Sequence, residues 1–215
     1  LEKYPRTLER DVEKIATISN KIIVFAPSVD DIYEGNTVSE SFDYDGLEHQ
    51  MEGKHRPGHF DGVGTVVKRF FEIIQPTHSY FGEKDFQQLQ IIKKLVQKYK
   101  IPVNVIGCPI HREKNGLAMS SRNERLSETE RKEAALIFKT LTASKKMFGT
   151  KTANEVSNFV KKTFENHPKF SLEYFQIADE ATLKPCLRKS KNKKYRAFIA
   201  VFVNNIRLID TISLN

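Results

Sequence analysis

A glycine, a lysine, an aspartate and two adjacent glutamines, Gln87 and Gln88, lie close together in the segment GEKDFQQLQ, which begins at Gly82. The run HSYF before it predicts a short buried strand, and FQQLQIIKKLV has the apolar spacing of a helix. The segment therefore begins at a helix N-terminus, where free N–H groups and the positive end of the helix dipole favour anions. Lys84 adds a mobile positive charge there. The alternative is an ordinary helix start with Asp85 as its N-cap, and this segment alone does not decide between the two.

A second polar segment, KNGLAMSSRN at residues 114 to 123, comes just before a long helical pattern. Serine hydroxyls donate neutral hydrogen bonds, and a guanidinium offers a planar fork that matches two phosphate oxygens. Ser120, Ser121 and Arg122 are therefore candidates to bind phosphate from a loop that could close as a lid. The simpler alternative is a linker turn that ends in a serine cap.

A third segment, RPGHFDG at residues 56 to 62, also precedes an apolar helical stripe, VGTVVKRFFEII. Arg56 and His59 could reach a phosphate or a carboxylate from that helix start, while the proline and glycine fix the turn. For His59, a ring that bonds a backbone carbonyl is a better-supported expectation than direct catalysis.

Strands and helices alternate in the first half of the chain, which predicts βαβ units and a parallel sheet with ligands at the carboxyl ends of its strands. The predicted strands are 21–26, 78–81 and 103–107, the predicted helices are 7–19, 61–74 and 85–99, and 37–44 is a polar strand-like stretch. After Pro109 the pattern changes to helices at 127–147 and 151–166 and strands at 171–178, 196–203 and 206–210. We therefore predict an α/β domain at 1–109 and a smaller α+β domain at 110–215.

Composition limits the possible functions. The chain has 215 residues, 39% of them apolar, and a net charge of +8. No apolar run approaches the roughly 20 residues that cross a bilayer, and two cysteines, Cys108 and Cys186, are too few for a disulfide framework. The basic segment at 184–196 has the spacing of a solvated loop and no nucleic-acid module around it. We therefore predict no membrane segment and no nucleic-acid site.

Several segments, in this order, resemble the pantothenate synthetase family: YPRTLERD, FAPSVDDIY, HRPGHFDGVGTVV, YFGEKDFQQLQ, GLAMSSRN and the closing RLID. Several long motifs in matching order are far more specific than one short pattern. The resemblance covers nearly the whole chain and implies a Rossmann-like nucleotidyltransferase domain, here with its parallel sheet incomplete at the N-terminus. It also implies a ligase that joins pantoate to β-alanine with ATP through a pantoyl adenylate.

The resemblance further implies the roles of individual residues. It places catalytic groups at Lys84, Ser120, Ser121 and Arg122. It implies ATP contacts from these and from Gly82, Glu83, Asp85, His111 and Met119, and pantoate contacts from Gln88, Arg56 and His59. It suggests Asp11 as a ligand of Mg²⁺. An imidazole at His111 departs from the small apolar residue that the family pattern suggests.

The family pattern also includes an HxGH histidine pair that cradles the triphosphate, and none of the six histidines here forms such a pair. We therefore expect this chain to be an N-terminally truncated fragment with weak activity or none. We expect a cytoplasmic homodimer. Two alternatives stay open: another adenylate-forming nucleotidyltransferase on the same scaffold, and a noncatalytic basic binding module.

Overall fold

The computed structural model describes residues 7–33, 35, 38–165 and 167–215. The chain forms two compact units, one up to Val38 and the other from Ser39 to Asn215. The first unit contains α1 (Leu8–Ile18) and α2 (Val29–Tyr33), and α1 confirms the predicted first helix.

The predicted strand at 21–26 is wrong. Residues 22–28 belong to no helix or strand, neither sheet of the described residues includes them, and Ile23 is 90% exposed. A continuous apolar run favours burial between two layers, but a strand forms only where a neighbouring strand completes its hydrogen bonds. The polar stretch that begins at residue 37 is likewise not a strand over its described part, 38–44.

The second unit begins with two helices and a βαβ unit. Its elements are α3 (Met51–His55), α4 (His59–Ile74), β1 (His78–Gly82), α5 (Phe86–Tyr99) and β2 (Asn104–Cys108). Strands β1 and β2 pair in parallel, with Gly82 opposite Cys108. This confirms the predicted parallel arrangement and places the polar segment that follows β1 at the carboxyl edge of the sheet.

The remainder of the unit is helical and then antiparallel. Its elements are α6 (Glu128–Glu133), α7 (Ala135–Phe148), α8 (Ala153–Glu165), β3 (Phe170–Asp179), β4 (Tyr195–Val203) and β5 (Ile206–Ser213). The helix predicted at 127–147 is divided at Ala134, and a capping box between Ser127 and Glu130 begins its first part. Strands β3, β4 and β5 form one antiparallel sheet in that order.

The structure therefore confirms the α/β class with a parallel sheet and a small antiparallel part. The predicted boundary between residues 109 and 110 stays a prediction. No helix among the described residues has both the length and the apolar character needed to cross a membrane.

Helix α4 packs closely on the chain that precedes α3. Tyr44 is 1% exposed, and its hydroxyl donates to the Phe60 carbonyl at 3.0 Å. Gly64 lies against the same side chain, because a Cβ at this position would overlap the Tyr44 hydroxyl and lie 2.9 Å from Phe42. The close approach of the helix requires a glycine here. Gly62, on the same helix, has open space around its Cβ position.

The buried side chain of Gln87 fastens α3 to the start of α5. Its Nε2 donates to the carbonyls of Leu47 and Gln50 at 2.8 and 2.9 Å, and its Oε1 accepts from the Glu52 N–H at 2.9 Å. Three backbone groups at the start of α3 are satisfied by one amide. The turn between α3 and α4 is therefore held beside the N-terminus of α5.

Candidate active site

Six predicted site residues line a single cavity in the second unit, where the turn between α3 and α4 meets the start of α5 and the strands β4 and β5. These six are Arg56, His59, Lys84, Asp85, Gln88 and Arg122. They come from three segments that are far apart in the sequence. The structure confirms that these segments meet, while the role of each residue stays a prediction.

A smaller cavity adjoins the first, and Lys84 and Arg122 line both. Ser120 lines the smaller one, and its Oγ accepts a hydrogen bond from the Arg122 N–H at 3.3 Å. The carboxylate nearest to Lys84 is that of Asp85, with Nζ and Oδ2 3.9 Å apart. Two cations thus line both cavities and a hydroxyl lies beside them, a combination of groups that suits phosphate oxygens.

The start of α5 could be either an ordinary helix N-terminus capped by Asp85 or a segment that faces a ligand. Asp85 occupies the N-cap position, but its side chain makes no capping hydrogen bond. It lines the cavity instead. The geometry therefore favours a ligand-facing role for this segment over an ordinary capped helix.

The Arg56 guanidinium lies against the His59 ring, with Nη1 3.1 Å from Nε2. Because a guanidinium can only donate, this ring nitrogen accepts the hydrogen bond and carries no proton. The expectation that the ring bonds a backbone carbonyl is therefore wrong. Burial and then the Arg56 charge lower the pKa of His59, and together they outweigh the opposing effects of Glu52 and Asp85. The ring is neutral at neutral pH.

Five predicted site residues of the second unit line neither cavity: Gly82, Glu83, His111, Met119 and Ser121. The Glu83 carboxylate pairs with Arg196 of β4 at 3.2 Å, and the Arg196 guanidinium lies 4.0 Å from the centre of the Phe86 ring. Met119 donates its N–H to the His111 carbonyl at 3.0 Å, which holds the ends of the intervening loop together. The ATP contacts of all five stay predictions.

Asp11 lies in the first unit, in the first turn of α1, where its carboxylate accepts a hydrogen bond from the Thr7 hydroxyl at 2.9 Å. Over the part of the chain that the structure describes, no group of three or more histidine, cysteine, aspartate or glutamate side chains could hold a metal ion. The role of Asp11 toward Mg²⁺ stays a prediction.

The sequence analysis missed a buried ionic network beside the cavity. Glu52 of α3 accepts from Arg207 of β5 through both carboxylate oxygens, at 2.7 and 2.9 Å, and from the Tyr174 hydroxyl at 2.8 Å. Arg207 also pairs with Glu173, where Nε donates at 2.9 Å. The Arg207 carbonyl in turn accepts from Arg122 at 3.5 Å. One arginine thus connects the α3 side of the site with the loop that carries Ser120 and Arg122.

The protonation state of this network follows from its contacts. Burial alone would raise the pKa of Glu52, but the hydrogen bonds and charge of Arg207, with the Tyr174 hydroxyl, outweigh it and hold that pKa below its usual value. Burial likewise opposes the charge of Arg207, but the two glutamates raise its pKa further. Glu52 and Arg207 are therefore both ionised at neutral pH.

Asp210, in the closing RLID motif, is the other missed residue. It lines both cavities and binds Arg112 through two hydrogen bonds of 2.7 and 3.0 Å. Burial raises the pKa of Asp210 despite the opposing effect of Arg112. The motif was recognised as part of the family resemblance, and it was the signal that could have identified both Arg207 and Asp210.

Comparison with known proteins agrees with this geometry. The model of the family described as pantoate-beta-alanine ligase matches residues 1–213. The chain is 70% identical over 214 residues to a pantothenate synthetase from Flavobacterium psychrophilum, covering 100% of this chain and 76% of that protein.

Two solved structures are similar to the whole chain. The crystal structure of pantothenate synthetase from Thermus thermophilus has a TM-score of 0.89 at 36% identity, covering 99% of this chain and 76% of that one. A pantoate-beta-alanine ligase from Francisella tularensis, complexed with beta-gamma ATP and beta-alanine, has a TM-score of 0.73 at 31% identity, covering 99% and 72%. The chain therefore belongs to the pantoate-beta-alanine ligase family and is a ligase.

Proposed function

We propose that the chain catalyses the ATP-dependent ligation of (R)-pantoate and β-alanine to pantothenate, a reaction of pantothenate and coenzyme A biosynthesis. The observation that carries the proposal is the convergence of cationic, hydroxyl and amide groups on adjoining cavities. Lys84, Arg122 and Ser120 face the space suited to phosphate, and Gln88 lines the larger cavity with Arg56. The Francisella tularensis relative, complexed with beta-gamma ATP and beta-alanine, supports ATP and β-alanine as two of the substrates.

The first step forms a pantoyl adenylate. A pantoate carboxylate oxygen attacks the α-phosphorus of ATP, the bond from that phosphorus to the bridging oxygen breaks, and pyrophosphate leaves. Negative charge accumulates on the leaving group, and preorganised cations stabilise it. Lys84 and Arg122 are placed to supply this charge, with Ser120 as a neutral donor. Gln88 and Arg56 would orient pantoate, and His59 would hold the Arg56 guanidinium.

The second step forms the amide. The β-alanine amine, after losing a proton, attacks the activated carbonyl, and the bond from that carbon to the AMP oxygen breaks. Neither step requires a protein nucleophile, so alignment and charge neutralisation supply the catalysis.

Magnesium is part of the proposal. A nucleotide-bound Mg²⁺ keeps several waters and takes its other ligands from phosphates and one or two carboxylates, so a dedicated cluster of acids is not required. Asp11 is the carboxylate that the resemblance offers. The ion would neutralise phosphate charge when bound.

The assembly and location of the protein also belong to the proposal. We propose a cytoplasmic homodimer that binds no nucleic acid. Contacts within the basic segment at 184–196 support the last point. Lys193 pairs with Asp179 at 3.3 Å, Lys189 donates to the Phe148 carbonyl, and Arg196 pairs with Glu83 and Glu180. These side chains stabilise the fold around the loop.

The test is pantoate-dependent exchange of labelled pyrophosphate into ATP. The proposal predicts slow exchange that requires pantoate, since this chain contains no HxGH histidine pair. Lys84→Ala should lower that exchange by roughly a further 100-fold or more, the magnitude typical of removing one group that stabilises developing charge. Lys93→Ala is the matched control, because Lys93 lies on the exposed part of α5 and lines neither cavity.

Either of two experimental results would contradict the proposal and favour a different function. Exchange that requires another carboxylic acid would favour a different adenylate-forming enzyme. Strong, salt-dependent oligonucleotide binding that survives Lys84→Ala would favour a noncatalytic basic module.

A further inference from the structure

Asn123 directly follows the predicted phosphate-binding residues, and no role has been assigned to it. It is 2% exposed and lies in the short 3₁₀ helix Ser121–Arg125. Its N–H donates to the Ser120 carbonyl at 3.0 Å. Its side chain therefore lies inside the loop that carries Ser120 and Arg122.

The orientation of the Asn123 amide is fixed by its neighbours. Its Nδ2 donates to Glu113 Oε1 at 2.8 Å and to the Ala118 carbonyl at 3.1 Å. Both partners are acceptors, so a flipped amide would place an oxygen against two oxygens. The Oδ1 atom must therefore point away from them. It is buried and has no hydrogen-bond partner among the described residues.

A buried carbonyl oxygen normally has a donor, from the protein or from an ordered water, because leaving it without one is costly. Asn123 lines the smaller cavity with Lys84, Ser120 and Arg122. That cavity has a volume of about 10 Å³, which is room for about one water molecule. The Lys84 ammonium has three hydrogens to donate, and the nearest carboxylate oxygen is 3.9 Å away.

We propose that Asn123 is a positioning residue of the phosphate site. Its Oδ1 accepts a hydrogen bond from a buried water, and the oxygen of that water accepts one from the Lys84 ammonium. The water thereby anchors the cation from the smaller cavity, while Lys84 also lines the larger one. This inference rests on the proposed function, because the expected effect of Asn123 on ATP affinity acts through Lys84 and requires that ATP binds at this site.

The first test is a double-mutant cycle on ATP affinity, measured by calorimetry. Asn123→Leu keeps the branched shape of the side chain but removes the acceptor together with the two donor hydrogen bonds, and we expect it to weaken ATP binding by about tenfold, the effect of one hydrogen bond to a charged group. In a Lys84→Met background the same substitution should change ATP affinity by less than about twofold, because the group it acts through is gone. A loop merely disordered by the substitution would weaken binding equally in both backgrounds, and that result would overturn the proposal.

The control is Glu113→Gln. Its amide oxygen still accepts from Asn123, while its charge pairing with Arg131, now 2.9 Å, is lost. We expect a change in ATP affinity of less than about twofold. A larger change would show that the packing around the loop, rather than the Asn123 acceptor, determines ATP affinity.

The second test does not depend on activity or on folding of a variant. A crystal structure of the unsubstituted protein, at a resolution that orders buried waters, should show a water within hydrogen-bond distance of both Asn123 Oδ1 and Lys84 Nζ. Absence of that water, or a water bonded to Asn123 alone, would overturn the proposal. If the unsubstituted chain bound no ATP, the proposed function would fail for this chain, but the crystallographic result would still decide the inference.

Discussion

Replacing Arg207 by methionine should destabilise the second unit strongly. The substitution keeps much of the side-chain volume but leaves Glu52 and Glu173 as neighbouring carboxylates without their shared cation. Their side chains are 13% and 22% exposed, and that of Arg207 is 17% exposed. Removing one partner of a buried ion pair costs about 3–5 kcal/mol, chiefly because the remaining charge stays buried. We therefore expect a loss of that size in the free energy of unfolding at neutral pH.

Urea unfolding followed by far-ultraviolet circular dichroism is the suitable assay, since the chain contains no tryptophan. If the free energy of unfolding falls with urea concentration at the same slope in both proteins, the variant exposes the same amount of surface on unfolding. The control is Lys132→Met, because Lys132 pairs with Glu128 at 2.6 Å and both side chains are largely exposed. An exposed pair of this kind contributes about 1 kcal/mol or less.

A second substitution separates charge from packing. Adding Glu52→Gln to Arg207→Met should recover roughly 1–2 kcal/mol, because the amide carries no charge and can still accept from Tyr174. A loss below about 1 kcal/mol for the single variant, or effects of the two substitutions that simply add, would refute the reasoning.

The pH dependence has a defined sign. The folded-state pKa of Glu52 lies below its ordinary value of 4.5, so the stabilisation is fully present above that pH and is lost as the pH falls through the lowered folded pKa. Without Arg207, burial instead raises the pKa of Glu52 and favours its neutral form. The difference in free energy of unfolding between the unsubstituted protein and Arg207→Met should therefore be largest near neutral pH and become smaller in acid.

Three further predictions concern single residues. Gln87→Leu should lower the free energy of unfolding by roughly 1–3 kcal/mol, because the Glu52 N–H loses its acceptor and the Leu47 and Gln50 carbonyls each lose one of two donors, whereas Gln88→Leu should lose pantoate affinity at nearly unchanged stability; equal stabilities of the two variants would contradict this. Gly64→Ala should cost about 2–3 kcal/mol through overlap with the chain before α3, whereas Gly62→Ala, with open space around it, should stabilise the exposed helix by up to about 1 kcal/mol; the same sign for both would contradict the packing described above. Nuclear magnetic resonance titration should give His59 a pKa below 6.5, and a value at or above 6.5 would show that the ring is not held neutral by burial and its arginine neighbour.

Local patterns predicted the parts of the site that depend on local geometry. Lys84 and Gln88 follow a predicted strand and begin an apolar helical stripe, so their position at the sheet edge follows from the chain around them. Arg56 and Arg122 also come just before helical patterns. The local sequence predicted that each of these residues lies at the end of a strand or the start of a helix. The family resemblance then implied that the segments form one site.

The residues that the sequence did not reveal are defined by distant partners. Glu52 can be buried because it pairs with Arg207, which lies 155 residues further along the chain. Asp210 pairs with Arg112, which lies 98 residues earlier. A lone glutamate in a short helix has the pattern of a surface residue, and no local periodicity encodes such a partner.

The wrong strand at 21–26 has a related cause. Its apolar composition is typical of a central strand, but strand formation depends on a neighbour that composition does not specify. The sequence pattern also did not predict the division of the helix at Ala134, because alanine has the highest helix propensity and is not a residue that ends helices.

The most direct test of the central claim is a single-turnover experiment with the protein at a concentration equal to that of labelled ATP, so that a slow reaction still gives a measurable product. We expect pyrophosphate release with pantoate alone, and AMP together with pantothenate only when β-alanine is also present. AMP formation without β-alanine, or pyrophosphate release that does not require pantoate, would contradict the assignment of this cavity to pantoyl adenylate formation.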